Sequence, residues 1–253
     1  MSESRMVEMG SGRRAIDWYG RLTLCLPLVF LIGAPSVLIT RAIFSQYYPS
    51  HFVHDSPTIS ETASQTPSSG FFEWTMFVVT FCIIVSWFLN LVRNSRRLSD
   101  LATGGIDAHG LTVVNWTASL MGILAGCFLA LVSVYNLTDG HDVHMFGSWG
   151  FYISQALSIT FDIIFVLWMR RYAMGPTEKD GLWGRVAVAM GIFVGSWFFL
   201  FMYESKGYAA PDHKYAVQLV YVGAEYTVCM LFLIYPMTAY AEIRRHFREF
   251  ALH

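Results

Sequence analysis

The stretch LTVVNWTASLMGILAGCFLALVSVY, residues 111–135, decides the fold. It carries no Asp, Glu, Lys or Arg over a length that crosses a hydrocarbon core, for which about 17 to 25 predominantly apolar residues suffice. Five further runs of this kind flank it, at 22–44, 71–92, 146–169, 186–203 and 216–241. Together the six occupy more than half of the chain. Of its 253 residues, 55% are hydrophobic and 14% charged, whereas soluble domains have roughly 45–50% apolar and about 25% charged residues. These features place the chain among all-α integral membrane proteins, as a bundle of six transmembrane helices. They exclude a nucleic-acid binder, and too little sequence lies outside the runs to fold as a separate soluble domain.

Charge sets the expected orientation. Arg5, Arg13, Arg14, Arg21, Arg93, Arg96, Arg97, Arg170, Arg171, Lys179, Arg185, Arg244, Arg245 and Arg248 all fall on one side of the runs. The other side holds only Lys206 and Lys214, and Arg41 lies inside the first run. Cytoplasmic loops carry the excess of Lys and Arg, so both ends are expected in the cytoplasm, N-in and C-in. The expected organisation is a cytoplasmic tail at 1–21, a six-helix transmembrane domain at 22–241 with a long outer loop at 45–70, and a second cytoplasmic tail at 242–253. The first run begins too late and is too long for a signal-peptide core, so it reads as a retained helix. Cys25, Cys82, Cys127 and Cys229 all fall within the runs, where they read as small apolar fillers.

Ionisable groups inside the runs need a reason, because each costs a few kcal/mol in hydrocarbon. Three are singled out: Arg41 near the outer end of the first helix, Asp162 deep in the fourth, and Glu225 about a third of the way down the sixth. Asp162 reads as paired with a polar group on a neighbouring helix, such as Asn90 or Asn115. For Glu225 two readings stand. It pairs with Arg41 or is hydrogen-bonded within the bundle, or it faces an outward-opening cavity and meets a lipid headgroup or accepts a proton.

The outer side also gathers histidines and acids. His51-x-x-His54-Asp55 and His141-Asp142-x-His144 place paired imidazoles on one face if the backbone is helical there. Such pairs suit hydrogen bonding at the membrane interface, acid–base work oriented by a carboxylate, or Zn²⁺, for which His51 and His54 are the weak candidates. No P-loop, G-x-S-x-G elbow or H-E-x-x-H is present, and no lysine lies in a run to carry retinal. No cofactor is expected. Gly122-x-x-x-Gly126 marks a close-packing face on the third helix, and Pro27, Pro35 and Pro236 are expected to kink their helices.

The outer-loop element Pro57-Thr-Ile-Ser-Glu-Thr-x-x-x-x-Pro67, with Ala224-Glu225-Tyr226-Thr227-Val228 and Met237-Thr238-Ala239 in the sixth helix, resembles the Frag/DRAM (damage-regulated autophagy modulator) superfamily. It is most similar to the branch that includes post-GPI-attachment-to-proteins factor 2, a Golgi protein of GPI-anchor fatty-acid remodelling. The chain departs from that branch at 79–90, which lacks the Arg and His the pattern calls for. The resemblance covers about residues 22–245. It implies six helices with cytoplasmic termini, and a place in an endomembrane (Golgi, ER or lysosome) or the plasma membrane. Position by position it carries over Pro57, Ser60, Glu61, Thr62, Pro67, His141 or His144, and Glu225.

Two functions follow as expectations. In the first, the chain handles lipids at the lumenal leaflet as in GPI-anchor remodelling, by acyl transfer or presentation, with a GPI anchor or lyso-lipid among its lipid partners. Glu225, His141, Asp142 and His144 are then the acid–base candidates, and Arg41, Ser60, Glu61 and Thr62 the headgroup-binding ones. In the second, it is a non-enzymatic organiser, acting in autophagy or in phosphoinositide-kinase or lipid-asymmetry regulation. There the inner rim of Arg93–Arg97, Arg170, Arg171 and Arg244–Arg248 meets acidic lipid or a cytosolic protein partner.

Overall fold

A computed structural model describes residues 18–172 and 176–250, with side chains described at 18–172 and 181–248. Most of the expected N-terminal tail, including Arg5, Arg13 and Arg14, the last residues of the C-terminal one and the side chain of Lys179 lie outside the described residues. Six long helices form the bundle: α1 (Cys25–Tyr47), α4 (Ser68–Thr103), α5 (His109–Val134), α6 (His141–Met169), α7 (Pro176–Tyr208) and α8 (Lys214–Phe250). Two short ones, α2 (Pro49–Asp55) and α3 (Ile59–Ser64), lie in the long loop. All six long helices are apolar and long enough to cross a membrane. The apolar runs mark only the stretch that fits hydrocarbon. α4 continues to Thr103 and α8 to Phe250, which carries their arginines beyond it.

An even number of crossings returns the chain to the side it started from. Tyr19 accordingly stacks on Phe247 with ring centroids 5.2 Å apart. This is the basic end; the long loop caps the other. Successive helices pair as antiparallel hairpins, α5 with α6 and α7 with α8 most extensively, and α1 packs on α4 and α8. α7 meets α6 only sparsely. Trp183, Phe193, Trp197 and Phe201 on α7 are exposed, an apolar face suited to lipid.

Close approach of α4 and α5 rests on the small-residue pair. A Cβ at Gly122 would fall 2.3 Å from the Trp87 ring, and one at Gly126 would fall 2.6 Å from Ile84. The prolines act differently from one another. Pro27 offers no N–H to the Thr23 carbonyl, which Leu26 takes instead at 3.2 Å, and the helix is interrupted at 23–24. α1 and α8 run on through Pro35 and Pro236.

A buried polar layer ties five helices together at the basic end. Asp162 accepts from Asn90 at 2.8 Å and from the Tyr235 hydroxyl at 2.7 Å. Glu242 accepts from Arg93 at 3.2 Å and from Arg185 at 3.0 Å, and Arg185 also lies 3.7 Å from Asp162. Asn94 accepts from Arg93 at 2.9 Å and donates to Asn115 at 3.1 Å. Two guanidinium groups thus face two carboxylates. This corrects the reading of the basic rim: Arg93 and Arg185 are 2% and 0% exposed and serve inside the bundle. Burying an unpaired guanidinium would cost several kcal/mol, whereas the pairing neutralises both.

Candidate functional site

The loop folds because its own residues cap it. Thr58 begins α3 with a reciprocal capping box: the Glu61 N–H donates to Thr58 Oγ1 at 3.1 Å, and the Thr58 N–H donates to Glu61 Oε2 at 2.6 Å. Arg41 holds the preceding turn. It donates to the Pro57 carbonyl at 2.7 Å and to the Tyr226 hydroxyl at 3.3 Å. Its guanidinium also lies 4.8 Å from the Phe52 ring centroid and 5.0 Å from that of Tyr226. No ion pair joins Arg41 to Glu225 among the described residues. The expected alternative, a tight salt link between them, is therefore not what the structure contains.

Glu225 instead reaches up from α8 to α3, where its Oε2 accepts from the Ile59 N–H at 3.1 Å. It is 7% exposed. Its side chain lies between two cavities. The inner one, about 70 Å³, has apolar walls from Val37, Phe72, Leu129, Phe151 and Leu233. The outer one, about 240 Å³, opens among the exposed His141, Tyr203 and Lys206. Ser60, Ser148, Tyr152 and Glu225 line both, so the two form an amphipathic hollow with its polar groups gathered at the join.

His144 is the second buried polar group at this join, 1% exposed in the first turn of α6. Its Nδ1 lies 2.6 Å from the Tyr135 carbonyl, and its Nε2 lies 3.0 Å from Ser60 Oγ. A carbonyl oxygen only accepts, so Nδ1 carries the proton and Nε2 is left facing the hydroxyl. The ring is thereby fixed in orientation and tautomer.

The other sequence candidates divide. His141 lines the outer cavity, while Asp142, beside it, is exposed and lines neither. The Glu61 carboxylate caps α3 and also lines the outer cavity. Thr62 is 0% exposed, donates to the Ile59 carbonyl at 2.8 Å and hydrogen-bonds the Tyr226 side chain, so its hydroxyl joins α3 to α8 and lines neither cavity. His51 and His54 lie on α2 with exposed side chains; His51 meets Asp55 at 3.6 Å and stacks edge-on against Phe44. No group of three or more His, Cys, Asp or Glu arranged to hold a metal occurs among the described residues.

Sequence reasoning missed Ser148 and Tyr152. Both follow His144 at four-residue spacing, which puts all three on one stripe of α6; that stripe was the available signal. The Tyr152 hydroxyl lies 3.1 Å from Cys229 Sγ. Ser148 has no hydrogen-bond partner among the described residues.

One family model matches the chain, the Frag1/DRAM/Sfk1/Cwh43P N-terminal domain, over residues 18–246. No curated protein and no solved structure matches it.

Proposed function

We propose a lipid-handling function on one premise: this chain belongs to the Frag1/DRAM/Sfk1 family. It is an integral membrane protein of six apolar helices, so its ligands are lipids before anything else. The observation that carries the reading is the hollow itself. Glu225 from α8, Ser60 from α3 and His144 from α6 meet on the wall of one cavity whose remaining surface is largely apolar. Such a site suits a ligand that is polar at one end and aliphatic at the other. Lys206 at the mouth adds a cation for a phosphate group.

The arginine excess supports a cytoplasmic basic end, which puts the hollow at the lumenal or outer leaflet. There the reading extends to acyl-chain transfer or presentation, as in the fatty-acid remodelling of GPI anchors. The polar join supplies an acid, an imidazole and hydroxyls next to where an ester would lie. Arg171, Arg245 and Arg248 are exposed at the opposite end. They support a secondary role in holding acidic lipid or a cytosolic protein partner.

A photoactivatable lyso-phospholipid, applied to the full chain in nanodiscs, tests the reading. Crosslinks are expected within 57–62, 141–152 and 221–229. Crosslinks confined to the exposed face of α7, around Trp197, would refute it. In cells lacking the endogenous protein, the lipid chains of GPI anchors report the finer assignment: wild type should change their composition, and a chain altered at both Glu225 and His141 should not.

A further inference from the structure

The hydroxyl of Ser60 and the imidazole of His144 form a pair that the lipid-binding reading does not require. Ser60 sits in the first turn of α3, partly exposed and lining both cavities. His144 lies on another element, 84 residues away; its ring meets Ser60 through Nε2 and the Tyr135 carbonyl through Nδ1, and the Val132 main chain also hydrogen-bonds it. Because the carbonyl must receive the Nδ1 proton, Nε2 presents a lone pair to the hydroxyl at 3.0 Å. This is the arrangement that activates a serine: a hydroxyl against a base nitrogen, and the base oriented by a third group. The third group here is a main-chain carbonyl. It fixes the ring as a carboxylate would, without adding a charge to the bundle.

We propose that Ser60 is a nucleophile and His144 its general base, and that the pair carries an acyl group from one lipid ester to another hydroxyl. This rests on the lipid-handling reading and names its chemistry. Ser60 Oγ attacks the ester carbonyl carbon, and its proton passes to Nε2. The tetrahedral intermediate then collapses, the bond to the leaving alcohol breaks, and that oxygen takes the proton from Nε2. The acyl group remains on Ser60 as an ester. A second hydroxyl, from water or from an acceptor lipid, attacks it with Nε2 again taking and returning the proton, and Ser60 is regenerated.

Two neighbours complete the site. Ser148, one turn beyond His144 on the same face, is the donor for the developing oxyanion. Its hydroxyl lines both cavities and has no partner among the described residues. Glu225 is a positioning residue, because its bond to the Ile59 N–H holds the residue next to Ser60 over the cavity. The inner cavity takes the start of the acyl chain, and the leaving alcohol faces the outer one.

The test is a fluorophosphonate probe, applied to the full chain in nanodiscs beside the photoactivatable lyso-phospholipid. Wild type should form a phosphonyl adduct on Ser60, identified by peptide mass. Labelling should fall at least tenfold in S60A and H144Q and severalfold in S148A. Incubation with a phospholipid, quenched in acid, should leave a hydroxylamine-sensitive acyl ester on the same peptide. Crosslinking within the hollow with no adduct on Ser60 would overturn the nucleophile and leave the lipid-handling reading standing. Failure of both probes in the folded wild-type chain would remove both.

Discussion

Replacing Glu242 by Gln should destabilise the bundle more than any other single isosteric change at a described polar residue. Glu242 accepts from two guanidinium groups, at 3.2 and 3.0 Å, which are 2% and 0% exposed. Charge-assisted hydrogen bonds contribute about 1.5–3 kcal/mol each, and breaking a buried pair by removing one partner costs about 3–5 kcal/mol. The amide keeps one acceptor but leaves Arg93 and Arg185 sharing the single charge of Asp162. Thermal unfolding in detergent should therefore fall by about 6–20 °C, on the soluble-protein scale of about 2–4 °C per kcal/mol for a chain of this size. The compensating variant is R93Q with E242Q, which restores one cation, Arg185, against one anion, Asp162. It should recover at least half of the loss, a strongly non-additive cycle. Equal melting of E242Q and wild type, or a double variant worse than E242Q by the full cost of R93Q alone, would refute the paired-charge account.

Other perturbations follow from the same geometry. G122L should be severely destabilising, because its Cβ already falls on the Trp87 ring; overpacking costs about 1–3 kcal/mol at least, and the yield of monodisperse protein reports it. R41K keeps the charge but cannot bridge the Pro57 carbonyl, the Tyr226 hydroxyl and two rings at once. With a loss of about 2 kcal/mol by the usual strength of such contacts, proteolysis within 49–67 should speed up on the order of 30-fold, and an unchanged rate would count against the clamp. T58A removes the α3 cap, worth about 0.5–2 kcal/mol, and should lower fluorophosphonate labelling of Ser60 while lyso-phospholipid crosslinking persists.

Six helices were legible because hydrocarbon thickness imposes a run length, and the arginines of one end could be counted without knowing any contact. What sequence could not resolve was which arginines face out. Arg93 and Arg185 lie among residues that otherwise read as rim, and only the arrival of Glu242 from a helix distant in sequence reveals them as internal. The loop posed the opposite difficulty. Its Ser, Thr and Pro content resembles a solvated linker, and the capping box at Thr58 and Glu61 makes a helix of it. His144 and Ser60 were both legible as candidates, singly. Their meeting depends on the loop folding back across the bundle, which no local periodicity encodes. Asp142 was a candidate as the carboxylate beside two imidazoles, and Thr62 as part of the Pro57–Pro67 element that carries the family resemblance. Helical geometry sends the first to solvent and turns the second onto its own helix and Tyr226.

The two polar layers of this bundle differ in how completely they are partnered, and the difference predicts contrasting behaviour. At the basic end each carboxylate meets a guanidinium, so a change there leaves a buried charge unmatched. At the loop end Glu225 is held by one backbone N–H, Ser148 by nothing among the described residues, and the walls belong to cavities. E225Q should therefore melt within about 1 kcal/mol of wild type, because the amide oxygen still accepts from Ile59 at the strength of an ordinary hydrogen bond. Its effect should appear in function, as a fall in lipid turnover in the folded protein, because a neutral amide oxygen holds the Ile59 N–H, and so Ser60 beside it, less firmly than a carboxylate does. The paired measurement with E242Q separates a structural acid from a working one: both variants replace a carboxylate with an amide of the same shape. If E225Q melted as early as E242Q, the loop-end layer would be a second structural latch, and the hollow beside it an accident of packing.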